Sequence, residues 1–163
     1  MPHFSRHGIQ FHYRETGEGR PFVFQHGLGA DVSQPFGLFR PPLGVRLIAF
    51  DARFHGQTHP AGDPEHLRFH TFGEDLLALL EHLRVERAIV GGISMGAALA
   101  MNFTLRWPER VEGLVLSRPA WLEAPCPWNV KMFTLISSLL RQHGRERGLA
   151  EFQRSEEHRE TAA

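Results

Sequence analysis

The sequence predicts an α/β fold, a mostly parallel sheet with helices on both faces. Three observations point there. From Pro21 to Ser117, short apolar runs alternate with helix-like segments, in the order strand, helix, strand, helix, strand, helix, strand. Two of the runs, Val45–Phe50 and Ala88–Ile93, are almost continuously apolar, as strands buried on both faces must be. The 163 residues fit the usual domain size of about 100–200 residues.

Each element has its own signal. Ile9, Phe11 and Tyr13 alternate with Gln10, His12 and Arg14, the period-2 pattern of a strand with one wetter face. Thr16–Arg20 reads as a turn, and Pro21–Gln25 as a second strand forming a hairpin with the first. A short helix is expected from Gln34 to Arg40, stopped by Pro41-Pro42. The strand Val45–Phe50 then ends in a polar loop, Asp51–Gly56. Thr71-Phe72-Gly73-Glu74 has the form of a capping box and predicts a helix start. Phe72, Leu76, Leu79, Leu80 and Leu83 follow at helical spacing. Ala88–Ile93 is a strand, Met95–Arg106 an alanine-rich helix closed by Trp107-Pro108, and Leu114–Leu116 a further strand. Beyond Ser117 the pattern changes. Pro119, Pro125 and Pro127 mark an irregular stretch, and Val130–Leu140 reads as an amphipathic helix interrupted later by Gly144 and Gly148. The expected organisation is a core over residues 1–119 and a helical segment over residues 120–163.

Composition excludes several classes. Eighteen Lys+Arg balance eighteen Asp+Glu, so the general basic footprint of a nucleic-acid binder is absent. Apolar stretches fall short of the 18 residues a membrane-spanning helix needs, so no membrane association is expected. Cys126 is the only cysteine, and the N-terminus lacks the apolar core of a signal peptide. A cytoplasmic protein is the expectation.

Chemistry concentrates at two places. Gly92-Ile93-Ser94-Met95-Gly96 is a G-x-S-x-G run between a strand and a helix. A sharp turn there would hold Ser94 in a strained conformation above the sheet. Gly92 and Gly96, without Cβ atoms, would let strand and helix approach. His26-Gly27-Leu28-Gly29 also follows a strand, where a loop donating to an oxyanion belongs. Its candidate donors are the backbone N–H groups of Leu28 and Met95, with Gly27 and Gly29 opening the approach and His26 shaping the loop. The pairs His55/His59 and His66/His70 have metal-ligand spacing on a helix. Gly56 and Pro60 argue against a helix through the first pair, and neither has a third ligand, so no metal is expected. The glycine run matches neither a dinucleotide-binding nor a P-loop pattern, and no cofactor is expected. Charge runs such as Arg145-Glu146-Arg147 read as a solvated face.

Residues 4–121 resemble the N-terminal portion of the α/β-hydrolase superfamily. The resemblance rests on His26-Gly27-Leu28-Gly29, on Asp51-Ala52-Arg53-Phe54-His55-Gly56-Gln57-Thr58 and on Gly92-Ile93-Ser94-Met95-Gly96, in that order. It implies Ser94 as nucleophile, Leu28 and Met95 as backbone oxyanion donors, and a later acid and histidine. It also implies a helical cap, which residues 120–160 would begin. No strand–loop–Asp or strand–loop–His pattern follows residue 117, so the triad is incomplete in this chain. The expected substrate is a small ester, lactone or related carbonyl compound, attacked through a Ser94 acyl-enzyme. The resemblance does not choose among esters, lactones, amides, carbon–carbon bonds and perhydrolysis. The alternative is a non-catalytic truncated remnant that binds a ligand or self-associates through the exposed edge of its last strand.

Overall fold

The computed structural model describes residues 2–119 and 131–162. Six strands form one mixed sheet: β1 (His3–Arg6), β2 (Ile9–Thr16), β3 (Arg20–Gln25), β4 (Val45–Phe50), β5 (Ala88–Ile93) and β6 (Val111–Ser117). Their order across the sheet is β1-β2-β4-β3-β5-β6. β1 and β2 are antiparallel, β2 is antiparallel to β4, and the β4-β3-β5-β6 portion is parallel. The helices of this region are α1 (Ser33–Leu38), α2 (Phe69–His82) and α3 (Met95–Arg106).

The pleat of β3 distributes side chains to two faces. Val23 enters the core with Leu76 and Leu79 of α2 and Leu99 and Phe103 of α3. Phe22 and Phe24 point the other way and pack on Phe39, just after α1. Helices therefore cover both faces, as the alternating pattern predicts. Phe4, Phe11 and Phe50 add an aromatic cluster, with Phe4 stacked on Phe11 at 4.8 Å and edge-on to Phe50 at 5.8 Å.

Four expectations are corrected. The hairpin is β1–β2, not β2–β3. The connection from β2 crosses the start of β4, where Arg20 N–H bonds the Gly44 carbonyl at 2.8 Å. Gly17 and Gly19 have φ of 80° and 106°, and a Cβ on either would strike the backbone of Gly44 or Val45. The chain thus steps over β4 and delivers β3 parallel to its other side. Second, α2 starts at Phe69, and no side chain caps it. Thr71 is buried within the first turn, and Glu74 pairs with Arg6 and Arg106 instead of closing a capping box. Third, His12 is buried rather than on a wet face, because its ring bonds the buried Asp51 carboxylate. Fourth, the helix α4 (Lys131–Arg154) breaks only at Gly144, whose φ is 72°. Gly148 is a close-packed helical residue: a Cβ there would meet the Leu139 carbonyl oxygen at 2.9 Å, so the chain doubles back on itself.

The chain divides into two compact units at residue 122. The second contains α4 and α5 (Glu156–Ala162). The expected start of the helical segment, residues 120–130, and Cys126 lie outside the described residues. Among the described residues no helix is long and apolar enough to cross a membrane.

Candidate active site

Strand β5 runs directly into α3, and Ser94 is the residue between them. Its φ of 53° and ψ of −110° are outside the regions that L-residues favour. Close packing forces the turn. A Cβ on Gly92 would strike the Gly96 backbone, and one on Gly96 would strike the Gln25 carbonyl in β3. Ser94 N–H bonds the Ser117 carbonyl at 3.0 Å, tying the turn to β6. Ser94 remains partly exposed at the C-terminal edge of the parallel strands. Met95 opens α3, so its N–H is one of the orphan donors of a helix start.

The loop after β3 comes to the same point. A Cβ on Gly27 would lie 3.7 Å from Ser94 Cβ, so the loop backbone passes beside the serine. The loop is pinned on each side of Leu28. Gly27 N–H bonds Gln34 Oε1 at 2.8 Å, and Gly29 N–H bonds His55 Nε2 at 3.1 Å. Among the described residues the Leu28 N–H has no acceptor. The structure thus brings together Ser94, Leu28 and Met95, with Gly27, Gly29, Gly92 and Gly96 supplying the close approaches.

The two nearby histidines are fully engaged. His26 Nε2 accepts from Ala52 N–H at 3.0 Å, so Nδ1 carries the hydrogen and donates to the Gly27 carbonyl at 2.8 Å. Burial pushes the His26 pKa down, with the Gly27 carbonyl opposing in part. His55 Nε2 accepts from Gly29, so its Nδ1 donates to the Arg53 carbonyl at 2.7 Å. Neither ring has a lone pair left for the serine proton. Ser94 Oγ itself makes no hydrogen bond among the described residues.

Behind the loop, Asp51 is buried and accepts three bonds. Val32 N–H binds one oxygen at 2.8 Å; Gln57 N–H and His12 Nδ1 bind the other at 2.8 and 2.9 Å. It thereby joins the loop after β3 to the loop after β4. Arg53 reaches Asp75 on α2 in two bonds of 2.6 and 2.9 Å, and Arg6 binds the same carboxylate at 2.7 Å.

A cavity of about 270 Å³ opens beside the serine, lined by Leu28, His55, Leu67, Arg68, Phe69, Phe72 and Met95. Its wall is chiefly apolar, and it is lined by both candidate oxyanion-donor residues. Gln34, Asp75 and Arg68 were not singled out from the sequence. No motif marks them; only the fold places a glutamine seven residues past Gly27 against its N–H.

Similarity to known proteins extends along most of the chain. A family model described as alpha/beta hydrolase fold matches residues 20–155. The chain is 37% identical over 110 residues to a dihydrolipoyllysine-residue acetyltransferase component of the acetoin cleaving system of Pseudomonas putida, covering 64% of this chain and 28% of that protein. It is 33% identical over 114 residues to epoxide hydrolase 2 of Siraitia grosvenorii, covering 68% and 36%. The crystal structure of an enol-lactonase from Burkholderia xenovorans superposes with a TM-score of 0.67 at 26% identity, covering 88% of this chain and 55% of that one. The chain spans between about a quarter and a half of the length of the curated relatives it matches.

Proposed function

Because the chain belongs to the alpha/beta hydrolase fold family, we propose that it carries the nucleophile half of a serine hydrolase acting on a small ester, lactone or related carbonyl compound. The observation that carries this is Ser94, held at φ 53° between β5 and α3 with the Gly27 backbone beside it. Ser94 Oγ adds to the carbonyl carbon. The carbonyl oxygen becomes an alkoxide and accepts from Leu28 N–H and Met95 N–H. Collapse expels the leaving group as an alkoxide that takes up a proton, and water then releases the acid from the acyl-serine by the same route. The serine proton must go to a base. His26 and His55 have both ring nitrogens engaged, so the reaction requires a base and its acid partner from outside the described residues.

The cavity beside Ser94 suits a small acyl group with little polarity. The test is turnover of a short-chain p-nitrophenyl ester by the chain, with Ser94→Ala as control. Without a paired base the expected reaction is slow, and it is read as p-nitrophenol release together with an acyl group on Ser94, both absent in Ser94→Ala. Turnover that survives Ser94→Ala would overturn the assignment.

A second reading, a self-associating module without catalysis, has one observation in its favour. β6 ends the sheet, and Leu114, Val115 and Leu116 on it are exposed. Light scattering tests it: a mass that rises with concentration supports association, and a monomer at all concentrations rejects it.

A further inference from the structure

We propose that the cavity beside Ser94 selects substrates whose acyl portion carries a carboxylate, held by the guanidinium of Arg68. This rests on the hydrolase reading for its chemistry but not for its binding.

The cavity combines an apolar wall with one formal charge. Besides the candidate oxyanion donors, Leu67, Phe69 and Phe72 line it with apolar side chains, and Arg68 is the charged residue among the described lining. His55, the other polar lining residue, is neutral in the hydrogen-bonding pattern it makes, with one nitrogen accepting and the other donating. Arg68 is exposed, yet its head is oriented: Nε–H donates to the Glu65 carbonyl at 3.0 Å. That bond uses one of five guanidinium donors and leaves the two Nη groups, the pair that grips a carboxylate side by side. No described carboxylate lies within ion-pair distance of Arg68.

The local field has the same sign. Arg68 is the residue before the first turn of α2, and that turn contains no acidic residue. An anion entering here meets a cation and the positive end of a 14-residue helix, with no opposing charge among the described lining residues. A neutral ester would gain only the apolar wall. A cavity of about 270 Å³ is near the lower limit of the usual 300–1,000 Å³ for ligand sites, so the ligand is small: a short half-ester or lactone acid rather than a long acyl chain.

The experiment separates binding from chemistry by using Ser94→Ala for the first and the unaltered chain for the second. Calorimetry or ligand-observed NMR compares monomethyl adipate, which has one ester and one carboxylate, with neutral dimethyl adipate. The expected result is that the half-ester binds about two- to five-fold tighter at low salt, the range of an exposed charged pair. The preference should shrink with added salt. It should vanish in Arg68→Gln and persist in part in Arg68→Lys. Equal affinities for the two ligands, no detectable binding of either, or a preference that survives Arg68→Gln would each overturn the proposal. Selective half-ester binding without Ser94-dependent turnover in the unaltered chain would retain the carboxylate site and remove the hydrolase. Ser94-dependent turnover without preference would do the reverse.

Discussion

At the scale of single residues, histidines do the positioning. His55 holds Gly29 through its lone pair, and Gly29 is next to the candidate oxyanion donor Leu28. Replacing His55 by Leu should leave the Gly29 N–H without that acceptor and loosen the loop. The expected cost is about ten-fold or more in Ser94-dependent rate, since small displacements of reacting groups cost that much. A matching rate in His55→Leu would show that the loop holds its shape without the bond. His26 links stability to pH. Its pKa is lowered in the fold, so the folded chain holds fewer protons than the unfolded chain as pH falls through the usual histidine value near 6.5. The stability due to neutral His26 is therefore complete above about pH 6.5 and is lost as pH falls toward its lowered folded value. Urea midpoints at pH 7.5 and 5.5 should show a drop that is smaller in His26→Gln. The sequence marked His26 and Ser94 because motif and position coincided. It did not mark Gln34 or Arg68, because their roles come from where loops meet.

At the scale of elements, the turn from β5 into α3 depends on absent side chains. Gly96→Ala would drive a methyl group into the Gln25 carbonyl of β3. Overpacking of this kind costs typically about 1–3 kcal/mol, and here backbone must move. Chemical denaturation should show a loss in that range or above; a change under about 0.5 kcal/mol would mean α3 shifts freely. Beside its apolar packing, α2 is tied to its surroundings by Asp75, fully buried between Arg53 and Arg6. Asp75→Ala leaves the buried Arg53 guanidinium without its carboxylate and should cost about 3–5 kcal/mol. β4, β5 and α3 were legible because continuous apolar runs and an alanine-rich stretch leave little choice. The α2 start was not, because Glu74 fits a capping box in sequence but is drawn to two arginines in space. β1 escaped notice because the four residues His3–Arg6 contain only Phe4 as a strong apolar signal.

At the scale of the molecule, alternation in sequence became a parallel β4-β3-β5-β6 sheet with helices on two faces. The pairing of β2 was hidden, because two neighbouring apolar segments resemble a hairpin while the crossing over Gly44 and Val45 is a non-local event. That crossing matters to function. It places β3 between β4 and β5, so the loops after β3 and β4 and the turn after β5 meet at one edge. Asp51 then joins two of them, and Gly27 reaches the third. The candidate nucleophile and its candidate oxyanion donors thus lie within residues 1–119.

The most direct test of this account is the site of a covalent adduct. The folded chain is treated with a fluorophosphonate, digested, and the modified peptide identified by mass spectrometry. The account predicts one adduct, on Ser94, which disappears in Ser94→Ala and slows in His55→Leu. An adduct on another residue at equal rate, or none after exhaustive treatment of a folded sample, would contradict it.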